Sequence, residues 1–211
     1  MTQEFRILSV NVGRPREFQF QGKIVTSSIW KTPVQGPVAV RGVNLEGDDQ
    51  ADRDVHGGPD KAVYSYAVED IRWWEGALGR ALPLSAFGEN LTTSGIDVSD
   101  ALIGERWEVG TTLLEVSEPR APCWKLGAKM EDAGFPRKFT KAQMPGAYLR
   151  IVREGILAAG DAIRVVDRPS HDVSVGDVFR IYTREREKAR VLLDVPELSE
   201  DWKEWARRER G

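Results

Sequence analysis

The sequence predicts a mainly β protein, a barrel or sandwich with a few helices, followed by a small helical segment. Short runs of β-branched and apolar residues recur over residues 1–167, and glycine and proline separate them as turns. From about residue 168 the spacing of apolar residues becomes helical. We therefore predict a β-barrel domain over residues 1–167 and a three-helix C-terminal subdomain over residues 168–211.

The first predicted strands cover residues 5–12, 23–30 and 37–43, which are rich in β-branched and apolar side chains. A polar loop follows over residues 44–60. Apolar residues spaced by four, four, three and four then predict one face of a helix that begins near Pro59; they are Val63, Ala67, Ile71, Trp74 and Leu78.

Later segments return to strand character before the chain becomes helical. Residues 105–119 predict two strands joined at Gly110, and residues 147–167 predict further strands that turn near Gly155 and Gly160. The three C-terminal helices are predicted at 174–183, 185–195 and 199–210. Ser174 and Asp177 have capping-box spacing, and Ser199 occupies the N-cap position of the last helix.

Composition excludes several classes of function. The net charge of −3 gives no general attraction to nucleic acid or membranes, and we expect neither as a partner. No apolar run approaches the roughly 20 residues of a membrane helix, and residues 1–12 lack the pattern of a secretory signal. We therefore expect a cytoplasmic protein. A single cysteine and two histidines exclude zinc-finger and four-cysteine iron–sulfur sites.

Residues 54–62, DVHGGPDKA, are a candidate anion site. Gly57 and Gly58 precede the predicted helix, so backbone N–H groups at its start could approach an anion, and Arg53 and Lys61 would add positive charge. The alternative is a simple turn in which His56 makes an ordinary hydrogen bond. In residues 87–95, the Asn90 amide could both donate to and accept from a heterocycle, but such a loop is also commonly only a turn.

Cys123, in the stretch SEPRAPCWKL, is the strongest candidate for chemistry. A lone cysteine is usually a small buried apolar residue. Here, however, Arg120 and Lys125 lie nearby in the sequence, and cations favour the thiolate, which is nucleophilic and binds soft metals. Neither histidine has a spacing that would make it the partner of Cys123 in a cysteine protease.

Several stretches together resemble the MOSC domain, named from the C-terminus of molybdenum cofactor sulfurases, and most closely its YiiM-like branch. They are SSIWKTPV, LEGDDQADRDVHGGPDKAV, AFGENLTTSGI, SEPRAPCWKL and GAYLRIVREG, in the order of the family and within residues 5–167. Residues 168–211 resemble the small three-helix unit that follows the domain in this branch.

The resemblance implies a β-barrel that holds the molybdenum cofactor, a pterin (molybdopterin) with a dithiolene and a phosphate. Cys123 would be the catalytic residue, and it would ligate molybdenum or carry its reactive sulfur. Cofactor contacts would come from Lys31, Arg53, His56, Gly57, Gly58, Lys61, Asn90 and Arg120. Arg150 is a further family position, although strand alternation could equally point its side chain away from the site.

Related proteins reduce N-hydroxylated compounds such as hydroxylaminopurines with electrons from a separate reductase. The resemblance therefore implies an oxidoreductase with an N-hydroxylated small-molecule substrate and an external electron-donor reductase as partners, and a homodimer is a further expectation. Two alternatives stay open from the residues: a sulfur-carrier or cofactor-handling protein with a Cys123 persulfide, and a non-catalytic binding module. A pyridoxal-phosphate function would need a Schiff-base lysine, and the sequence nominates none.

Overall fold

Backbone hydrogen bonding divides the described residues, 4–50 and 57–209 of this computed structural model, into three sheets and several short helices. The strands are Arg6–Val12 (β1), Arg16–Phe20 (β2), Lys23–Ser27 (β3), Thr32–Pro33 (β4), Val38–Arg41 (β5), Asn44–Leu45 (β6), Val63–Ala67 (β7), Leu91–Ser94 (β8), Arg106–Val109 (β9), Thr112–Pro119 (β10), Ala147–Arg153 (β11), Gly155–Leu157 (β12) and Ile163–Asp167 (β13).

The main sheet has the strand order β13-β9-β10-β11-β7-β8-β1-β4. The β7–β8 pair is parallel, and the other pairs in this sheet are antiparallel. The chain entering β13 also bonds to the start of β1, because Ile7 N donates to Asp161 O at 2.9 Å and Ile163 N donates to Phe5 O at 2.8 Å. Strand β13, at one end of the order, therefore contacts β1, which is next to the other end, and the sheet curls toward a barrel. The mainly β prediction is confirmed.

Gly110 joins β9 to β10, as the sequence predicts. Its φ of 56° lies in the left-handed region, and a Cβ placed there would lie 2.3 Å from the carbonyl oxygen of Ile156. Only glycine fits this turn without strain, so the sequence signal was specific.

The α-helices are Val68–Leu78 (α1), Trp124–Lys129 (α2), Phe135–Ala142 (α3), Val175–Thr183 (α4) and Glu200–Arg208 (α5). Two 3₁₀ segments cover Pro59–Lys61 and Arg186–Asp194. The predicted helix at 185–195 is thus a 3₁₀ helix, and the sequence reading did not anticipate α2 or α3. In the described part of the chain, no helix is both long and apolar enough to cross a membrane.

The helix predicted from Pro59 is wrong over its first half. Residues Val63–Ala67 form β7, whose five residues are all buried, and the helix begins only at Val68. A spacing of four residues places Val63 and Ala67 on one face of a helix, but it does the same in a strand, where side chains alternate with period two. A central strand buried on both faces also lacks the polar alternation that would have identified it.

The C-terminal segment packs directly on the barrel. Side chains of α4, the second 3₁₀ segment and α5, including Val178, Leu192 and Trp202, belong to the same continuous apolar core as the barrel residues Trp107 and Leu114. The predicted domain boundary between residues 167 and 168 stays a prediction. The close packing of the two regions positions the site described next.

Candidate functional site

Cys123 lies where the longest strand of the barrel turns into a short helix. Strand β10 ends at Pro119, and α2 begins at Trp124, directly after the cysteine. The backbone of Cys123 is extended, with φ of −119°, and its side chain is half-buried. The sequence between strand and helix thus holds the thiol at the wall of a cavity.

This cavity, which we call the charged cavity, encloses about 610 Å³ including the space at its mouth. Among the described residues, its wall contains four cationic side chains and two carboxylates. They are Lys31, Lys61, Arg120, Lys125, Asp48 and Asp49. Cys123 shares this wall, so the only thiol of the chain faces a surface with more positive than negative charge.

Lys31, Asp48 and Asn90 form a buried polar network in the charged cavity. Lys31 Nζ donates to both carboxylate oxygens of Asp48, at 2.5 and 2.6 Å, and Asn90 Nδ2 donates to Asp48 Oδ2 at 2.9 Å. Burial lowers the pKa of Lys31, although the Asp48 carboxylate partly offsets this effect. The network therefore fixes Lys31 in a poorly hydrated position, where its interaction with an anion would be strong.

Asn90 has little hydrogen-bonding capacity left for a ligand. Its Nδ2 donates to Asn11 O at 3.2 Å as well as to Asp48, and its Oδ1 accepts from the backbone N–H of Tyr64 at 3.1 Å. The side chain thus joins β1, β7 and the start of β8. The structure gives Asn90 a role in positioning the wall; its predicted contact with a pterin stays a prediction.

Arg120 is buried against the rear of the cavity. Its Nη1 donates to Phe87 O, and its guanidinium lies over the Tyr64 ring, with Cζ 4.8 Å from the ring centroid. Burial acts to lower the pKa of Arg120, but Tyr64, Tyr148 and Cys123 outweigh burial and raise it. Arg120 is therefore a fixed, permanently charged group within electrostatic range of the thiol.

Lys61 stands at the other end of the wall. Its Nζ donates to Asp201 Oδ2 of α5 at 2.8 Å and lies 3.8 Å from Glu118 Oε1. Burial lowers the pKa of Lys61, but Glu118 and Asp201 more than offset this effect, so the pKa is raised. The residue thus connects the barrel wall with the C-terminal segment.

The site residues predicted from the sequence fall into two groups within the described part of the chain. Five of them, Lys31, Lys61, Asn90, Arg120 and Cys123, line the charged cavity, whereas Gly57 and Gly58 do not. Arg53 and His56 lie outside the described residues. Arg150 is not part of this wall, because its side chain pairs with Asp60 and with Glu115, the latter at 2.8 Å.

The helix start predicted after Gly58 is wrong, whereas an anion contact by Gly57 and Gly58 stays a prediction. Gly58 is followed by a single 3₁₀ turn, Pro59–Lys61, and then by the buried strand β7. The Gly58 N–H donates to Gln50 Oε1 at 3.2 Å. A three-residue turn lacks the aligned peptide dipoles of an α-helix, so the charges that face the cavity come from side chains instead.

Several wall residues were missed by the sequence reading. Asp48, Tyr64 and Tyr148 line the charged cavity, and Ser28 lines it with a buried hydroxyl that has no hydrogen-bond partner among the described residues. Lys125, which the sequence places near Cys123 as a cation, also lines this cavity. The others come from separate strands and loops, so only the fold brings them together.

Comparison with known proteins identifies the family of the chain. Residues 52–164 match the MOSC domain. The chain belongs to the MOSC domain family. It is 35% identical to YflK of Bacillus subtilis over 207 residues, which cover 96% of this chain and 94% of YflK.

Two further relatives extend the comparison. The crystal structure of YiiM from Geobacillus stearothermophilus superposes with a TM-score of 0.82 at 32% identity, covering 97% of this chain and 98% of that one. A Gibberella moniliformis protein named "Reductase" is 30% identical over 196 residues, which cover 91% of this chain but only 35% of the fungal protein. MOSC domains are associated in general with the molybdenum cofactor.

The residues of the charged cavity fit such a group. A phosphorylated dithiolene cofactor is anionic and soft, and this wall offers one thiol with the cations Lys31, Lys61 and Arg120. The buried Ser28 hydroxyl, which has no partner among the described residues, supplies a donor that a polar ligand would satisfy. Within residues 4–50 and 57–209, no group of three or more His, Cys, Asp and Glu side chains is placed to hold a metal ion.

Proposed function

We propose that this MOSC protein is a molybdenum-cofactor-dependent oxidoreductase that reduces N-hydroxylated compounds, with electrons from an external reductase. The net reaction is R–NH–OH + 2 e⁻ + 2 H⁺ → R–NH₂ + H₂O. The observation that carries the proposal is the Cys123 thiol in the wall of a cavity rich in cations.

Each group of wall residues has a role in this proposal. Cys123 would ligate molybdenum, because its sulfur is the one thiol that the chain offers and thiolates suit soft metal centres. Lys31, Lys61 and Arg120 would bind the anionic parts of the cofactor, and Arg120 would in addition favour the thiolate form of Cys123. When bound, the cofactor supplies the two-electron redox chemistry, and the chain supplies binding, orientation and electrostatics.

The Asp48 carboxylate and the Asn90 amide would act through other residues. Asp48 holds Lys31 in place, and Asn90 holds Asp48 while it joins three strands. These are positioning residues, and their removal would misplace the cationic groups by more than the fraction of an ångström that such sites tolerate. The name of the fungal relative, "Reductase", supports the reductive direction of the reaction.

The test begins with the chain purified from a host that makes the molybdenum cofactor. Molybdenum and pterin are measured per chain, and reduction of 6-hydroxylaminopurine is assayed with reduced methyl viologen as donor. We expect stoichiometric metal and turnover in the wild type, and loss of both by more than 100-fold in Cys123→Ser. Circular dichroism and the thermal midpoint of the variant check that it is folded.

Other results would favour the alternatives. A reducible persulfide on Cys123 without bound metal would favour a sulfur carrier. Equal turnover in the wild type and Cys123→Ser would overturn the assignment of the thiol. Folded wild type with neither metal nor persulfide would leave the binding module as the remaining function.

A further inference from the structure

A second cavity adjoins Cys123 on the side of the C-terminal segment. It encloses about 880 Å³ including its opening, and we call it the aromatic cavity. It shares Lys61, Cys123 and Tyr148 with the charged cavity. A molecule in the aromatic cavity would therefore also contact the wall that carries the thiol.

Three aromatic rings from α4 and α5 form one wall of this cavity. Tyr182, Trp202 and Trp205 meet edge to face, with centroid distances of 5.0, 5.1 and 6.0 Å. Trp202 is buried within the core, whereas Trp205 is half-buried. Such rings offer rigid apolar surface at a low cost in conformational entropy, which suits a planar ring system.

Glu118 is a buried carboxyl group in the same cavity. Its side chain is 2% exposed, and its Oε1 lies 3.8 Å from Lys61 Nζ. A hydrogen bond from the Ser199 side chain, at the start of α5, acts to lower the pKa of Glu118. Glu118 is thus a buried carboxyl group in the cavity wall, where a molecule in the cavity could contact it.

We propose that the aromatic cavity holds the ring of the N-hydroxylated substrate, and that the Glu118 carboxyl donates a proton to its hydroxyl oxygen. This inference rests on the proposed function. The N–O bond breaks, the oxygen leaves as water with the proton from Glu118, and the nitrogen takes its proton from solvent. The two electrons come from the external donor, for which reduced methyl viologen substitutes in the assay.

The environment of Glu118 supports a proton-donating role. Burial raises the pKa of Glu118 to about 7, while Lys61 opposes this effect and Asp60 and Asp201 add to it. Tyr148 also faces the group from β11. A carboxyl group that titrates near neutral pH is well suited to general acid catalysis, because it holds a proton yet can release it.

The ring site is tested first by binding to the cofactor-free full chain. Adenine, the amine product of 6-hydroxylaminopurine, serves as the probe, and its affinity is measured by isothermal titration calorimetry. We expect Trp205→Leu to weaken binding about tenfold, the size of one aromatic stacking contact, and Trp205→Phe to restore most of it. Trp73→Leu is the matched control and leaves the affinity unchanged, because Trp73 is exposed on α1 outside this cavity.

Turnover by the metal-loaded protein then tests selectivity. The KM of Trp205→Leu for 6-hydroxylaminopurine rises about tenfold, whereas its KM for hydroxylamine, which has no ring, is unchanged. Equal adenine affinity in the wild type and Trp205→Leu would overturn the ring site, even if the wild type reduces 6-hydroxylaminopurine.

The variant Glu118→Gln tests the proton donor, because glutamine has nearly the same shape as glutamate but no acidic proton. We expect kcat to fall about 100-fold with little change in KM. In the wild type kcat falls as the pH rises above about 7, and this dependence is absent from the variant. Glu105→Gln, which alters a buried carboxylate outside the cavity, retains the wild-type profile.

The failures of the two proposals are distinguishable. A metal-loaded wild type that reduces no N-hydroxylated compound overturns the proposed function and with it the role of Glu118, while adenine binding still decides the ring site. Unchanged kcat and pH profile in Glu118→Gln would overturn the proton donor alone.

Discussion

The two cavities that meet at Cys123 differ in what builds them. The charged cavity consists of barrel strands and their loops, which hold cations and carboxylates in fixed hydrogen bonds, as in the Lys31–Asp48 pair. The aromatic cavity is completed by helices of the C-terminal segment, which add three aromatic rings and one carboxylate, Asp201. A rigid sheet can hold costly buried charges, whereas a packed helical segment supplies apolar surface, so each region contributes a different kind of recognition.

The largest expected effect lies in the charged cavity. Asp48→Asn removes the carboxylate that pairs with Lys31, whose side chain is only 9% exposed. We expect the free energy of unfolding to fall by about 3–5 kcal/mol, because a buried charge loses its partner. Urea unfolding at pH 7 measures it.

A surface pair provides the control for Asp48→Asn. Glu108 pairs with Arg153 and Arg164, whose side chains are 55% and 69% exposed, so Glu108→Gln is expected to cost less than about 1 kcal/mol. Similar losses in both variants would show that the charged cavity does not depend on its buried pair.

A smaller effect of opposite sign is expected in the aromatic cavity. The pKa of Glu118 is raised from 4.5 to about 7, so its ionised form is penalised in the folded state. The neutral carboxyl group therefore contributes stability to the wild type that is fully present below about pH 4.5. This contribution is lost as the pH rises through about 7 and the group ionises. Glu118→Gln is therefore expected to be more stable than the wild type by about 3 kcal/mol at pH 8, and nearly equal to it at pH 4.5.

Asp132→Asn supplies a control for this pH dependence. Hydrogen bonds from Lys138 and from the Gly134 N–H lower the pKa of the exposed Asp132 carboxylate, so its removal should slightly destabilise the protein at pH 8. Thermal midpoints of both variants between pH 4.5 and 8 check the two signs. A difference for Glu118→Gln that does not change with pH would contradict the environment described for this carboxyl group.

The barrel was largely predictable because its signals are local. The turn at Gly110 and the capping box at Ser174 depend on neighbouring residues only, and both are present. Strand β7 was not predictable from the same kind of signal, since burial on both faces removes the alternation that distinguishes a strand from a helix.

The two cavities differ in how many of their lining residues the sequence predicted. Cys123, Lys31 and Arg120 were nominated through motifs, and they do line one cavity. The aromatic cavity was not anticipated, because Glu118 and Trp205 are far apart in sequence and meet only when the C-terminal segment packs on the barrel. A motif describes residues close together in the chain, so a site made by packing of two regions has no local signal.

The smallest predicted effect concerns how the segment bearing the aromatic wall is held. Ser174 caps α4 in a reciprocal pair: its Oγ accepts from Asp177 N at 3.1 Å, and Asp177 Oδ2 accepts from Ser174 N at 3.0 Å. Ser199 stands at the same position before α5, but its side chain makes no capping bond. We expect Ser174→Ala to lower the free energy of unfolding by about 1 kcal/mol through loss of the cap, and Ser199→Ala, which removes no capping bond, to lower it by less. Urea unfolding compares the two variants, and equal losses would mean that the last helix depends on its N-terminal serine as much as α4 does.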